Sequence, residues 1–253
     1  MKILVIGDIH GRYIWKDIVN KELKNNLDEI VFLADYFDAK GTGSSNPQDQ
    51  INNFLDIVEF KRENKTPVFL LFGNHDYHYH PEVQEQYSGY QKYSAASYTR
   101  VISENLEYLQ MAHGNDDFLF THAGVSITFC KDNGIMYDCT SLPDITESIA
   151  EDLNDRFIHD PALFGFNTTD SFDFSGDSKW QSPIWIRPQS LGKDIIPGIR
   201  QVVGHTTIND ITTVEHKTEL SGKEYTTGVT LTDALASRQY LIIENGIMRT
   251  ETI

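Results

Sequence analysis

Apolar runs of strand length alternate with segments of helical periodicity in the first third of the chain. Residues 2–6, 29–34 and 68–72 are short and almost wholly apolar, which is typical of strands buried on both faces. In the segments between them, apolar residues recur at helical spacing, namely Ile14, Trp15, Ile18, Val19 and Leu23, then Ile51, Phe54, Leu55 and Val58. This β-α-β-α-β order predicts an α/β fold with a parallel sheet covered by helices.

Strand-like patterns return in the second half of the chain. They lie at residues 106–111, 117–121, 199–203, 225–231 and 239–243. The last of them runs into Asn245-Gly246, a dipeptide that favours a two-residue hairpin turn. The end of the tyrosine-rich segment 77–100 has helical character. We therefore expect further strands, a terminal hairpin and at least one more helix.

The segment 144–177 carries nine Asp or Glu residues and a single basic residue, Arg156. Its first part places Ile145, Ile149 and Leu153 at helical spacing. The acidic side chains are expected to form a solvated face, with shading of a site entrance as the alternative. We interpret the chain as one domain, 1–253, with an acidic insertion or cap at about 130–198.

Composition excludes several classes of function. The formal net charge is −16 over 253 residues, and so acidic a surface repels phosphate backbones and disfavours binding to duplex nucleic acid. No apolar run approaches the roughly 20 residues that span a bilayer. The hydrophobic start of the chain is broken at Gly7-Asp8, too early for a signal sequence. We expect a cytoplasmic protein without membrane association.

Potential metal ligands follow five of the predicted strands. Taken alone, each of these strand ends is more often a capped turn or a buried histidine than a ligand site. Taken together they favour ligands, because each of the five is flanked by Gly or Ala and parallel strands end at one edge of a sheet. The collected ligands are Asp8, His10, Asp35, Asn74, His122 and His205. Carboxylate, amide and imidazole together suit borderline divalent ions such as Mn, Fe or Zn.

The ordered blocks GDIHG, ADYFD, GNHD, THAG and GHT span residues 7–206, and they resemble the calcineurin-like metallophosphoesterase family. The resemblance implies a four-layer α/β/β/α sandwich with mixed sheets and a dinuclear metal site at the strand ends. It places Asp8 and His10 on the first ion and makes Asp35 the bridge. It assigns Asn74, His122 and His205 to the second ion, with Mn favoured over Fe or Zn.

The resemblance also implies catalytic roles. A hydroxide that bridges the two ions would attack phosphorus directly, while His75 protonates the leaving group and Asp38 orients His75. Arg187, in the segment SPIWIRP, corresponds to an arginine that grips the phosphate in one branch of the family. The alternative for Arg187 is a surface arginine beside a buried tryptophan.

Within the family, the chain is similar to the branch of the serine/threonine phosphoprotein phosphatases and the diadenosine tetraphosphate hydrolases. Thr207 stands where many other members have a second histidine, which this branch lacks. Two departures leave the substrate open. The second block continues as Asp38-Ala39-Lys40-Gly41 rather than Asp-Arg-Gly, and Phe72 replaces an arginine of the protein phosphatases. Arg187, Arg12 and Lys40 are the cations linked to the motifs. We expect Phe72→Arg to leave the fold intact.

Three functions are therefore compared. The first is a phosphatase acting on phosphoproteins or small phosphomonoesters. The alternative is a hydrolase of dinucleoside polyphosphates or other nucleotides, which Gly-Asn-His-Asp at 73–76 favours and the tyrosines at 77–98 permit through base stacking. The third is a binding scaffold that has lost catalysis, which the complete set of ligands disfavours. The sequence leaves the oligomeric state open.

Overall fold

The computed structural model of the protein describes residues 1–83, 85–116, 118–135, 144–167, 176–220 and 222–253. Part of the acidic segment, residues 168–175, lies outside them. The chain divides into two compact units. The first comprises residues 1–109, 207–211 and 232–253, and the second comprises residues 110–206 and 212–231.

Helices and strands alternate along the chain as far as Leu71, and elements of one kind follow one another in groups after that. In order they are β1 (Lys2–Ile6), α1 (Trp15–Glu22), β2 (Glu29–Phe32), α2 (Pro47–Glu63), β3 (Val68–Leu71), α3 (Asn74–Tyr77), α4 (Ala95–Ser103), β4 (Leu109–Gln110), β5 (Ala112–Asn115), β6 (Phe118–Thr121), α5 (Ile127–Asp132), α6 (Asp144–His159), α7 (Pro188–Lys193), β7 (Arg200–Val203), β8 (Thr212–Leu220), β9 (Lys223–Leu231), β10 (Gln239–Glu244) and β11 (Ile247–Thr252). The mixed α/β class predicted from the sequence is confirmed.

The first unit is built on a mixed sheet. Its described strands run in the order β11-β10-β1-β2-β3-β4, with β1, β2 and β3 parallel and β10 antiparallel to β1. The residues of β1 from Ile3 onward are fully buried, as the continuous apolar run predicted. Because the three parallel strands are neighbours, their carboxyl ends lie side by side, and each is followed by one of the first three motif blocks.

The second unit has its own mixed sheet, in the order β5-β6-β7-β9-β8. Strands β6, β7 and β9 are parallel, and β5 and β8 pair antiparallel at the two edges. Helix α6 packs against β5 and buries Ile149 and Leu153, so the helix predicted for the acidic segment is confirmed. The residues that follow β6 and β7 are the last two motif blocks.

Several predicted elements differ from the observed ones in length. Residues 106–108 form a turn of 3₁₀ helix, and β4 keeps only two residues of the predicted strand at 106–111. The hairpin turn is confirmed, since Asn245 and Gly246 both have positive φ, 50° and 77°, as a type I′ turn requires. Among the described residues, no helix combines the length and the apolar character needed to cross a bilayer.

Candidate metal centre and catalytic residues

The loops that follow β1 and β2 run side by side at the edge of the first sheet. The backbone N–H of His10 donates to the carbonyl of Asp35 at 2.6 Å, and that of Ile9 donates to Ala34 at 3.1 Å. His10 and Asp35 both have left-handed φ, 44° and 52°. Such backbone is unfavourable for residues other than glycine and tends to occur at functional sites. Two predicted metal ligands are thus held in conformations that the surrounding fold imposes.

Two carboxylates lie close together in this edge of the first unit. Asp8 and Asp35 are essentially inaccessible to solvent, and a carboxylate oxygen of each lies within 4.8 Å of the other. Burying two like charges costs free energy unless a cation or hydrogen bonds compensate them. The pair therefore forms a setting that a divalent cation would stabilise.

His10 completes the donor set of this unit. Its Nδ1 lies 3.0 Å from the carbonyl of Phe37, which fixes the ring and leaves the lone pair on Nε2. Nε2 is buried without a hydrogen-bond partner among the described residues, and it lies 3.4 Å from Asp35 Oδ2. Burial, partly opposed by the charge of Asp35, lowers the pKa of His10 to about 3. A neutral imidazole beside two carboxylates fits a divalent metal ion.

Asp76 fixes the loop that carries Asp35. Its carboxylate accepts hydrogen bonds from the backbone N–H groups of Asp35 at 2.9 Å, Tyr36 at 2.8 Å and Gly73 at 3.2 Å. Burial, followed by the charge of Asp35, raises the pKa of Asp76 well above its usual value. The last residue of the third motif block thus supports the second block rather than reaching outward.

Gly73 allows the third block to approach Asp35. A Cβ at this position would lie 2.3 Å from Asp35 Oδ1, so any other residue would displace the carboxylate. The next two residues begin α3, where Asn74 is buried and the backbone N–H of His75 donates to Asp35 Oδ1 at 3.0 Å. The glycine at 73 therefore has a direct role in assembling the three blocks.

The predicted proton donor and its orienting carboxylate are in contact. His75 Nδ1 lies 3.0 Å from Asp38 Oδ2, and both side chains are buried. Burial favours protonation of Asp38, but hydrogen bonds from His75, His78 and Tyr79 outweigh it and lower the pKa of Asp38. Asp38 is therefore a carboxylate that fixes the orientation of the His75 ring.

Asp38 has three further partners that the sequence analysis did not identify. His78 Nε2 lies 2.7 Å from Oδ2, and the Tyr79 hydroxyl donates to Oδ1 at 2.6 Å. The Gln91 side-chain amide also donates to Oδ1, at 3.2 Å. Tyr79 is fully buried, so its ring packs in the interior while its hydroxyl binds Asp38. In the sequence, the only sign of these contacts was the presence of His78 and Tyr79 shortly after the GNHD block.

In the second unit, two of the predicted ligands lie together at the ends of neighbouring parallel strands. His122 follows β6 and His205 follows β7, and their ring centroids are 5.2 Å apart. The backbone N–H of Gly204 donates to the His122 carbonyl at 2.8 Å. Both histidines are buried, and His205 has a left-handed φ of 61°. The last two motif blocks therefore form one cluster of imidazoles.

Arg187 belongs to the surroundings of this histidine pair. Its guanidinium donates to Thr206 Oγ1 at 3.3 Å, next to His205 in the chain. The ring of Trp185 lies 6.2 Å from that of His205. Arg187 is half-buried rather than spread on the surface, so its position is compatible with a phosphate contact.

Phe72 requires a correction. It is fully buried, with its ring centroid 5.9 Å from that of His80. The expectation that Phe72→Arg leaves the fold intact is wrong, because a guanidinium at this buried position would lose its hydration. The position is part of the core.

Comparison with known proteins agrees with these observations. The chain matches the sequence model described as calcineurin-like phosphoesterase over residues 1–206, a range that covers all five motif blocks. No curated protein matches the chain.

Several solved structures share the fold at low sequence identity. A cold-active protein-tyrosine phosphatase of a psychrophile, Shewanella sp., is 17% identical with a TM-score of 0.57, and 99% of this chain and 80% of that one are covered. A metallophosphoesterase from Sphaerobacter thermophilus is 13% identical with a TM-score of 0.50, covering 100% and 88%. A candidate diadenosine tetraphosphatase is 15% identical with a TM-score of 0.50, covering 99% and 93%.

Proposed function

This chain belongs to the calcineurin-like phosphoesterase family of hydrolytic enzymes, and we propose that it is a metal-dependent phosphatase that hydrolyses phosphomonoesters. One observation about the first unit carries the proposal. This unit contains both a set of side chains that can bind a metal ion and a buried histidine in contact with an aspartate. His10 Nε2 faces Asp35 at 3.4 Å, while His75 is held by Asp38 at 3.0 Å. A cation site beside an oriented proton donor is suited to phosphoryl transfer.

Six residues would hold two divalent ions in this proposal. Following the family pattern, Asp8 and His10 would hold the first ion, Asp35 would contribute to both, and Asn74, His122 and His205 would hold the second. Mn is the favoured metal, with Fe or Zn as alternatives. When bound, the ions would lower the pKa of a water molecule to about 7 and offset charge on the phosphoryl oxygens.

The residues of the chain contribute the remaining chemistry. His75 donates a proton to the leaving oxygen as the bond to phosphorus breaks, and the Asp38 carboxylate stabilises the imidazolium that precedes this transfer. The Asp38 carboxylate is in turn fixed by His78 and Tyr79. Arg187 is proposed to bind the non-bridging phosphoryl oxygens, for which a planar guanidinium offers two parallel hydrogen bonds.

A hydrolase of dinucleoside polyphosphates or other nucleotides is the second candidate. The fold accommodates both classes, because solved structures that share it are described as a protein-tyrosine phosphatase and as a candidate diadenosine tetraphosphatase. Lys40 favours this candidate, since its ammonium lies 3.2 Å from His75 Nε2, where the leaving group would be protonated.

A substrate panel with added manganese tests the proposal. It contains p-nitrophenyl phosphate, its bis ester, phosphopeptides and diadenosine tetraphosphate. We expect the two phosphomonoesters to be turned over with a higher kcat/KM than the bis ester, and only with metal. A higher kcat/KM for diadenosine tetraphosphate than for any monoester would favour the second candidate. Turnover of none, with metal bound, would indicate a binding scaffold.

Arg187→Lys is expected to lower kcat/KM by about tenfold or more, which corresponds to about 1.4 kcal/mol of transition-state stabilisation. Lysine keeps the charge but loses the bidentate fork. Arg100→Lys, on the exposed side of α4, is the control and should match the wild type. Steady-state kinetics on each accepted substrate gives the answer. If Arg187→Lys were silent on all of them, Arg187 would have no part in binding the phosphate.

A further inference from the structure

Lys40 lies next to the predicted proton donor, His75, and the resemblance to the family gives Lys40 no role. Its Nζ lies 3.2 Å from His75 Nε2. His75 Nδ1 is engaged by Asp38, and Nε2 accepts from Lys40, so a leaving group that reaches Nε2 meets both side chains. An ammonium group at this distance is within reach of the same leaving group.

The loop that carries Lys40 is anchored against the first motif block. A Cβ at Gly43 would lie 1.9 Å from the carbonyl of His10, so glycine permits a close approach at this point. The backbone N–H of Ser44 donates to the Gly11 carbonyl at 3.2 Å, and that of Gly43 to Lys40 at 3.0 Å. The fold therefore holds the backbone of Lys40 close to His10 while its side chain stays exposed.

The charge of Lys40 is available for a ligand. Among the residues that the structure describes, Lys40 forms no ion pair with a carboxylate, whereas Lys16 is paired with Asp56. Arg12, the other motif-linked cation of this unit, is buried and donates to the carbonyl of Asp8 at 3.1 Å. The guanidinium of Arg12 is therefore engaged by a backbone carbonyl, whereas the ammonium of Lys40 faces His75.

We propose that Lys40 binds the leaving group and selects substrates whose leaving group is itself an anionic phosphate, as in a phosphoanhydride. The inference rests on the proposed phosphoesterase function and adds a specificity-determining residue to it. In the reaction, a water oxygen bonds to the attacked phosphorus and releases a proton to the solvent, and the bridging P–O bond breaks. The electron pair of that bond stays on the departing phosphate, whose added charge Lys40 neutralises.

The chemistry distinguishes the roles of Lys40 and His75. An alkoxide or phenolate leaves with one negative charge that a proton from His75 removes. A departing phosphate has a last pKa of about 6 and depends less on that proton, but it carries more charge near the site. A cation beside the leaving oxygen therefore favours the anhydride more than the simple ester.

Lys40→Met, Lys40→Arg and the matched control Lys65→Met test the proposal with ADP and p-nitrophenyl phosphate as substrates. Lys65 is an exposed lysine near the start of β3. We expect Lys40→Met to lower kcat/KM for ADP by about 10- to 100-fold, the effect of one charge-assisted hydrogen bond. For p-nitrophenyl phosphate the loss should be smaller, so that the ratio of the two kcat/KM values shifts toward p-nitrophenyl phosphate by about tenfold. Lys40→Arg and Lys65→Met should stay within about threefold on both.

Binding of the methylene-bridged analogue of ADP, measured by calorimetry, should weaken in Lys40→Met and not in Lys65→Met. An equal loss on both substrates, no loss on either, or a wild type that accepts p-nitrophenyl phosphate but not ADP would overturn the role of Lys40 and leave the phosphatase function standing. A wild type that accepts neither substrate would overturn the function and the role together.

Discussion

Replacing His75 with alanine is expected to lower kcat by about 10²–10⁴ while the metal content stays that of the wild type. The imidazole is the proposed proton donor, and its contact with Asp38 at 3.0 Å fixes its orientation. A nitrogen of its ring lies within 4.8 Å of ligand atoms of His10 and Asp35. Its backbone N–H donates to Asp35 Oδ1, and alanine retains this hydrogen bond. Kinetics and metal analysis on the same preparation measure both effects.

The dependence on the leaving group separates proton donation from a structural role. With 2,4-dinitrophenyl phosphate, whose leaving group needs no proton, the loss of kcat in His75→Ala should be much smaller than with a substrate whose leaving group must be protonated. Asp38→Asn should cause a smaller loss with the same dependence. His159→Ala, at an exposed helix end, is the control. If His75→Ala instead emptied the metal site, the histidine would be a ligand and the division of roles would be wrong.

Asp35→Asn is expected to reduce kcat/KM by about 10³ or more, because the proposed bridging ligand loses its charge and both ions are weakened. Asparagine is nearly isosteric, and its side-chain oxygen can still accept the hydrogen bond from His75 N–H that Asp35 Oδ1 accepts at 3.0 Å. Metal analysis should find at most one ion per chain. Wild-type occupancy at wild-type activity would contradict the bridging role.

The same variant should be more stable than the wild type once both are stripped of metal. Asp35 is buried near Asp8, and after burial its charge is the next cause that raises the pKa of Asp76, so removing that charge relieves repulsion among buried acids. We expect the free energy of unfolding of the metal-free protein to rise by about 1 kcal/mol or more. Asp56→Asn, at a half-exposed ion pair, should change it by less than about 1 kcal/mol. Denaturant unfolding gives the comparison.

The fold was predictable where burial imposes a continuous apolar pattern. Strands β1, β2 and β3 are buried and were located within two residues of their observed ends. Strand β8, by contrast, was missed, because its described residues are mostly exposed at a sheet edge and Val214 is its one large apolar side chain before Leu220. Strand β5, with the sequence AHGN, likewise carries little apolar signal. Such strands are specified by pairing with a neighbour rather than by their own sequence.

The candidate site was predictable where ligands follow strands directly. Asp8, Asp35 and His75 stand at fixed positions in short motifs, and the structure brings them together in the first unit. The contacts of Asp38 with Gln91 and of Lys40 with His75 join residues that are far apart in the chain. Sequence patterns do not reveal such contacts, because the path of the folded chain, and not a regular spacing of residues, brings the two side chains together. The residue roles within the metal centre stay predictions.

Metal stoichiometry tests the central proposal, a dinuclear phosphoesterase, most directly. The protein would be stripped with a chelator, reloaded with manganese, freed of excess metal, and analysed for metal per folded chain, with circular dichroism as the check of folding. The six proposed ligands, two of which are Asp35 and His10 with its buried Nε2, lead us to expect about two ions per chain. A folded chain that retains one ion or none would contradict the account.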